Sequence, residues 1–144
     1  MNIKNYNKFI IVTILCLSAL LVISSCAAKD DEVSQVEDAV TTVFEKIDSD
    51  RAIELMAELS DYRLVDVRTQ EEFDEGHIKG AELMPLDQLE SLAGDQLNDK
   101  DQVLIVYCRS GNRSGQASDL LKELGYTHVY DLGGIINWTG EIEK

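Results

Sequence analysis

Five consecutive apolar residues, at positions 103–107, constrain the fold of this chain more than any other feature. The run reads Val-Leu-Ile-Val-Tyr, without the alternation of polar and apolar side chains that a half-exposed strand shows. Such a run is typical of a central strand covered on both faces, as in a parallel sheet. We therefore expect helices on both sides of a sheet, with Cys108 directly after its most buried strand.

The chain around this run alternates short strand-like segments with helical ones. We expect Ser49 to be the N-cap of the first helix and Gly125 to end the helix that follows Cys108. A last short helix is expected to open at Gly133-Gly134 and to carry Trp138. The alternation predicts an α/β domain with a mainly parallel sheet, whose ligands bind at the carboxyl ends of the strands. The predicted strands are residues 43–47, 64–67, 81–84, 103–107 and 129–132, and the predicted helices are 52–59, 69–75, 86–92 and 117–124.

Length and charge narrow the class of protein. The 144 residues suit one domain. The formal net charge of −14 repels phosphate backbones, so nucleic acid is excluded as a partner. No set of Cys, His and carboxylate residues has metal-ligand spacing, and we expect no metal.

The N-terminus has the pattern of an export signal. Lys4 and Lys8 precede an apolar stretch at residues 9–23, which is short for a spanning helix and typical of a signal-peptide core. The tetrad Ile23-Ser24-Ser25-Cys26 resembles the bacterial lipobox. This resemblance implies a signal peptide at 1–25, lipid on Cys26 and a tether at 26–42. An uncleaved anchor is the alternative, and both interpretations place the rest of the chain outside the cytoplasmic membrane, in the cell envelope.

This interpretation changes the meaning of the three cysteines. Cys16 leaves with the signal peptide and Cys26 carries lipid, so Cys108 is the only thiol of the mature chain and no intramolecular disulfide is possible. Cys108 could also be a small buried residue with a structural role only, but the residues that follow it in the sequence favour a reactive thiol.

The segment after Cys108 has the composition of an anion-binding loop. A tight turn between a strand and a helix directs backbone N–H groups inward, and the helix adds its positive N-terminal end. Gly111 and Asn112 tolerate the positive φ that such a turn requires, and Arg109 and Arg113 add two cations. These features favour a thiolate at Cys108 and an incoming anion. The segment reads Cys108-Arg109-Ser110-Gly111-Asn112-Arg113-Ser114.

Two further motifs accompany this loop. Upstream stand Leu64-Val65-Asp66-Val67-Arg68, Glu72-Phe73 and Gly76-His77-Ile78-Lys79-Gly80-Ala81, and downstream Asp131-Leu132-Gly133-Gly134 with Trp138. Together with the loop, they resemble the single-domain rhodaneses over residues 43–140, and we assign residues 43–144 to that domain. Leu83 stands where the family often has Asn, which predicts a local packing difference only. The resemblance implies a five-stranded, mainly parallel sheet with helices on both faces.

The resemblance also implies a sulfurtransferase without a cofactor. The Cys108 thiolate would take the outer sulfur of a donor such as thiosulfate, and the resulting persulfide would pass it to cyanide or a thiol. The substrate-binding residues implied are Arg109, Ser110, Gly111, Asn112 and Arg113. Ser114 either donates a further hydrogen bond or caps the helix, and Asp66 and Arg68 support the site as a structural ion pair, with Glu71 or Glu72 as candidate partners.

Three other functions compete with sulfur transfer. The related phosphatases have one more residue in the loop, which would require Arg in place of Ser114, and an arsenate reductase needs a second thiol. A persulfide carrier that passes sulfur to a protein acceptor and turns over poorly alone remains open as the alternative.

His77, His128 and Trp138 are interpreted as structural.

Overall fold

The computed structural model describes residues 41–144. The predictions for the signal peptide, for Cys16, for the lipid on Cys26 and for most of the tether fall outside this part of the chain. Within residues 41–144, no helix is long and apolar enough to span a bilayer.

The described chain alternates strands and helices, as the sequence predicts. The strands are β1 (Val43–Lys46), β2 (Tyr62–Asp66), β3 (His77–Ile78), β4 (Glu82–Leu83), β5 (Val103–Cys108), β6 (His128–Gly134) and β7 (Ile142–Glu143). The helices are α1 (Ser49–Glu58), α2 (Gln70–Glu75), α3 (Leu89–Gln96) and α4 (Asn112–Glu123), followed by a 3-10 turn at Ile135–Asn137.

Five strands form one parallel sheet in the order β1-β6-β5-β2-β4. The run at 103–107 lies in β5, the central strand, with β6 on one side and β2 on the other. The predicted fold class is therefore confirmed, with every pairing in this sheet parallel. The carboxyl ends of β2, β5 and β6 meet at one edge, where Cys108 is the last residue of β5 rather than the first residue after it.

The two faces of β5 pack against different helices because successive side chains of a strand point in opposite directions. Leu104, Val106 and Cys108 belong to the cluster formed with α3 and α4. Ile105 and Tyr107 belong to the cluster formed with α1. All five are at most 1 % exposed. Cys108 therefore shares its face of the sheet with α4, the helix that begins after the loop.

Several predicted boundaries are wrong, for local reasons. Asp48, not Ser49, is the N-cap of α1, because its carboxylate accepts from the Arg51 N–H at 2.9 Å. The helix predicted at 86–92 begins only at Leu89, after a turn in which the Gln88 N–H donates to the Pro85 carbonyl. Strand β7, which the sequence analysis missed, is two residues long and pairs antiparallel with β3.

Asp66 and Arg68 form the predicted ion pair, but with each other rather than with Glu71 or Glu72. Arg68 Nη2 donates to Asp66 Oδ2 at 2.6 Å and to the Gly76 carbonyl at 2.9 Å. Both residues are buried, Asp66 at the carboxyl end of β2 and Arg68 just after it. A buried pair of this kind orients the chain around it, since loss of one partner would leave an uncompensated charge. Their supporting role is therefore to connect β2 to the Gly76 turn.

We expect Leu121→Ala to lower the free energy of unfolding by about 2–5 kcal/mol, because Leu121 is fully buried between α4 and the sheet. Urea unfolding followed by the fluorescence of Trp138 measures the loss. Glu123→Ala, an exposed change two residues further along the same helix, should stay within about 0.5 kcal/mol. Equal losses in the two variants would contradict the assignment of the α4 core face.

Candidate active site

Cys108 lies at the carboxyl end of the central strand, opposite Gly134 of β6 in the register of the parallel pair. The residue is 1 % exposed. Its neighbours in the chain, Arg109 and Ser110, are exposed. The thiol therefore lies in the buried cluster formed with α3 and α4, directly before an exposed loop.

The loop itself is shorter than the sequence suggests. Only Arg109, Ser110 and Gly111 separate β5 from α4, which begins at Asn112. Gly111 is the N-cap of α4 and has φ 101°, as predicted. Asn112 does not share this conformation, because it is the first helical residue, and no residue other than glycine in the range 41–144 has positive φ. One glycine therefore makes the reversal that brings the chain back over Cys108.

Gly134 allows the loop to lie close against β6. A Cβ atom at this position would meet the Arg109 carbonyl oxygen at 2.6 Å and the Ser110 Cα at 2.7 Å. These neighbours are backbone atoms, which cannot swing aside as a side chain can. The downstream Gly-Gly motif thus supports the loop through close packing, in addition to opening the 3-10 turn.

The sulfur of Cys108 accepts hydrogen bonds from the loop. The Gly111 N–H donates to Sγ at 3.1 Å. Burial alone would raise the pKa of the Cys108 thiol, but backbone N–H groups of Ser114, Gly111 and Ser110 act on the sulfur and bring its pKa below the ordinary value. The site therefore stabilises a thiolate despite its low exposure.

Ser114 fastens the start of α4 to β6. Its side chain is fully buried, and its hydroxyl lies 3.2 Å from both the Gly111 and the Gly133 carbonyl oxygens. The capping alternative is wrong, because Ser114 is the third residue of the helix and Gly111 occupies the cap. The hydroxyl has backbone carbonyls as its partners, and a further hydrogen bond from Ser114 to a bound substrate stays a prediction.

The two arginines of the loop have different surroundings. Arg113 Nη1 and Nη2 donate to the Glu72 carboxylate at 2.6 and 2.8 Å, a bidentate pair between α4 and α2. Arg109 is exposed, and its side chain forms no ion pair within residues 41–144. Glu72 belongs to a motif of the resemblance and is a predicted partner of the Asp66–Arg68 pair, whereas its contact with Arg113 was not predicted. The spacing of 41 residues gives no local signal for this contact.

One cleft borders the loop, and a second borders the first turn of α4. One, of about 420 Å³, is lined by Ser110, Gly111, Gly134, Lys46, Asn137 and Thr139, among others. The other, of about 330 Å³, is bordered by Val67, Arg68, Thr69, Pro85, Leu86, Asp87 and Arg113. Both lie at the carboxyl ends of the strands, which is where ligands bind in open α/β sheets.

The two histidines contact residues other than Cys108. His77 stacks on Phe73 with ring centroids 3.6 Å apart, and its Nδ1 is 3.0 Å from the Phe73 carbonyl oxygen. His128 Nδ1 lies 2.8 Å from Thr127 Oγ1. In the part of the chain that the structure describes, no group of three or more His, Cys, Asp or Glu side chains is placed to hold a metal ion.

Comparison with known proteins agrees with this geometry. Residues 50–141 match the Rhodanese-like domain. The thiosulfate sulfurtransferase PspE of Escherichia coli is 39% identical over 71 residues, which are 49% of this chain and 68% of that protein. A sulfurtransferase of Allochromatium vinosum is 38% identical over 94 residues, covering 65% of this chain and 86% of the other.

A solved structure shows the same architecture. The rhodanese with anions from Escherichia coli is 35% identical and superposes with a TM-score of 0.55, covering 58% of this chain and 98% of that one. The matched residues 50–141 include the Cys108 loop, the Gly76 turn and the Gly133-Gly134 motif. The chain belongs to the Rhodanese-like domain family.

Proposed function

We propose that this protein transfers sulfane sulfur through a persulfide on Cys108. The thiolate attacks the outer sulfur of thiosulfate or a similar donor, the S–S bond of thiosulfate breaks, and sulfite leaves with the bonding electron pair. Cys108 then holds the second sulfur as an anionic persulfide. A thiophilic acceptor, cyanide or a thiol, attacks that sulfur and releases the Cys108 thiolate, so that no net redox change and no cofactor is needed.

The observation that carries this proposal is the hydrogen bond from the Gly111 N–H to Cys108 Sγ, 3.1 Å long. Donors fixed in the backbone stabilise the thiolate before reaction and suit the negative charge of the persulfide after it. The family assignment and the named sulfurtransferases among the relatives support sulfur transfer as the chemistry.

The low exposure of Cys108 favours a second candidate, a persulfide carrier that releases sulfur to a protein partner. Cys108 is 1 % exposed, and limited access by bulk nucleophiles suits storage of sulfur better than rapid turnover. A carrier would hold the same persulfide, so the two candidates differ in the second half of the reaction only.

We expect the purified protein to gain one sulfur atom on incubation with thiosulfate and to lose it to a reductant, as measured by intact mass. Cys108→Ser should abolish the gain, because the attacking thiolate is absent. An unchanged gain in this variant would exclude the mechanism. Thiocyanate release under steady-state conditions with cyanide identifies an enzyme, whereas bound sulfur with negligible release identifies a carrier.

The lowered pKa of Cys108 predicts the pH dependence of its reactivity. A thiol reacts as its thiolate, so the rate rises with pH through the pKa and then levels off. For Cys108 the midpoint should fall below that of an unperturbed cysteine, because backbone N–H groups stabilise its thiolate. The rate of alkylation by iodoacetamide is measured by mass spectrometry between pH 5 and 10, for the protein and for a reference peptide that contains one cysteine. The two pH profiles give the midpoint of each thiol. A Cys108 midpoint above that of the peptide would contradict the stabilised thiolate.

A lipid anchor on Cys26 is a separate part of the proposal and is supported by the pattern of residues 1–26. Expressed in bacterial cells, the wild-type chain should sediment with membranes and incorporate labelled palmitate. Cys26→Ser should abolish incorporation of the label, because the acceptor thiol is lost. Labelling that persists in this variant would contradict modification of Cys26.

A further inference from the structure

The ion pair between Glu72 and Arg113 joins two elements on either side of the Cys108 loop. Arg113 is the second residue of α4, and Glu72 is in the first turn of α2. Both side chains are less than one third exposed, Arg113 at 29% and Glu72 at 23%. Two N–H groups meet two carboxylate oxygens, which is the geometry that holds a guanidinium most firmly.

Glu72 is itself held in place by its own helix. The Thr69 N–H donates to Glu72 Oε2 at 3.2 Å, while the Glu72 N–H donates to Thr69 Oγ1 at 3.3 Å, forming a capping box. Hydrogen bonds from Arg113 hold the pKa of Glu72 at about 2. Glu72 is therefore anionic throughout the pH range in which a thiol titrates, and its charge opposes that of Arg113.

Charged groups from several elements lie at the edge of the sheet where β5 ends. Arg113 lies close enough for its charge to interact with that of the thiolate. Asp66 and Arg68 neutralise each other, and Asp131 accepts from the Gly133 N–H at 2.9 Å. Asp87 borders the same cleft as Arg113, and Arg109 is exposed on the loop.

We propose that Glu72 is a positioning residue that fixes Arg113 beside the Cys108 loop, neutralises its charge, and thereby favours monoanionic persulfide donors over dianionic thiosulfate. The inference rests on the proposed sulfur transfer and specifies the donor class of that site. With a persulfide donor RSS⁻, the Cys108 thiolate bonds to the outer sulfur, the S–S bond of the donor breaks, and the thiolate RS⁻ leaves with the bonding electron pair. With Arg113 paired, the backbone amides and Arg109 are left to attract the donor. A dianion gains more from an unpaired guanidinium than a monoanion does, because the Coulomb energy scales with the charge. Loss of the Glu72 charge should therefore raise the preference for thiosulfate.

The test compares the two partners of the ion pair. Glu72→Gln keeps an acceptor oxygen for Arg113 but removes the negative charge, so the Cys108 pKa should fall by about half a unit. Arg113→Gln leaves the carboxylate beside the loop, so the Cys108 pKa should rise by a similar amount. A purely structural ion pair would behave differently, because loss of either partner would loosen the loop in the same way. The pH profile of alkylation by iodoacetamide gives each pKa.

Donor selectivity is measured as the ratio of kcat/KM for thiosulfate to kcat/KM for 2-hydroxyethyl persulfide, which carries a single negative charge. We expect Glu72→Gln to raise this ratio about threefold and high salt to reduce the gain. Glu71→Gln is the matched control, since Glu71 is the exposed neighbour in the same helical turn and forms no ion pair within the described residues. It should leave both the ratio and the Cys108 pKa unchanged.

The outcomes separate the two proposals. Shifts of the Cys108 pKa in the same direction in Glu72→Gln and Arg113→Gln, or no shift in either, would overturn the role of Glu72. A Glu72→Gln ratio no higher than that of Glu71→Gln would overturn the donor preference. If the wild-type protein takes sulfur from neither donor, the proposed function fails, while the alkylation profiles still decide whether Glu72 tunes the charge at Cys108.

Discussion

The hydrogen bond between the Gly111 amide and the Cys108 sulfur depends on two glycines in different strand-to-helix connections. Gly111 reverses the chain with a positive φ, and Gly134 lets the loop lie against β6 at a distance that a Cβ atom would not permit. Ser114 is buried, and its hydroxyl lies within hydrogen-bonding distance of the Gly111 and Gly133 carbonyl oxygens, on both sides of the loop. Because these contacts involve backbone atoms, the amides near the sulfur are fixed before any substrate arrives.

Burial and hydrogen bonding act on Cys108 in opposite directions. Its 1 % exposure disfavours a charged sulfur, while the backbone amides favour it strongly enough to bring the pKa below the ordinary value. The surrounding charges are mostly compensated: Arg113 pairs with Glu72, and Arg68 with Asp66. Stabilisation of the thiolate therefore comes mainly from oriented dipoles close to the sulfur, in a protein whose net charge of −14 would otherwise oppose it.

Much of the fold follows from local pattern. The run at 103–107 predicts the central strand because a strand that is buried on both faces carries apolar side chains on both faces. The Thr69–Glu72 capping box and Gly76 mark α2 for similarly local reasons. The pattern fails where partners are remote: β7 is two residues long and exists because β3 pairs with it, and the start of α3 is set by the turn after Pro85. The ion pair predicted for Asp66 and Arg68 is local and forms between these two residues, without Glu71 or Glu72.

The sequence alone determined the position and surroundings of Cys108, because a cysteine followed by Gly111 and two arginines at the end of a buried strand is a local arrangement. It also determined the alternation of strands and helices that places this end of the strand at the ligand-binding edge. Only the tertiary structure decided how the charges at that edge are distributed. Glu72 reaches Arg113 across 41 residues of sequence, and whether a guanidinium is paired depends on which side chains the fold brings within hydrogen-bonding distance.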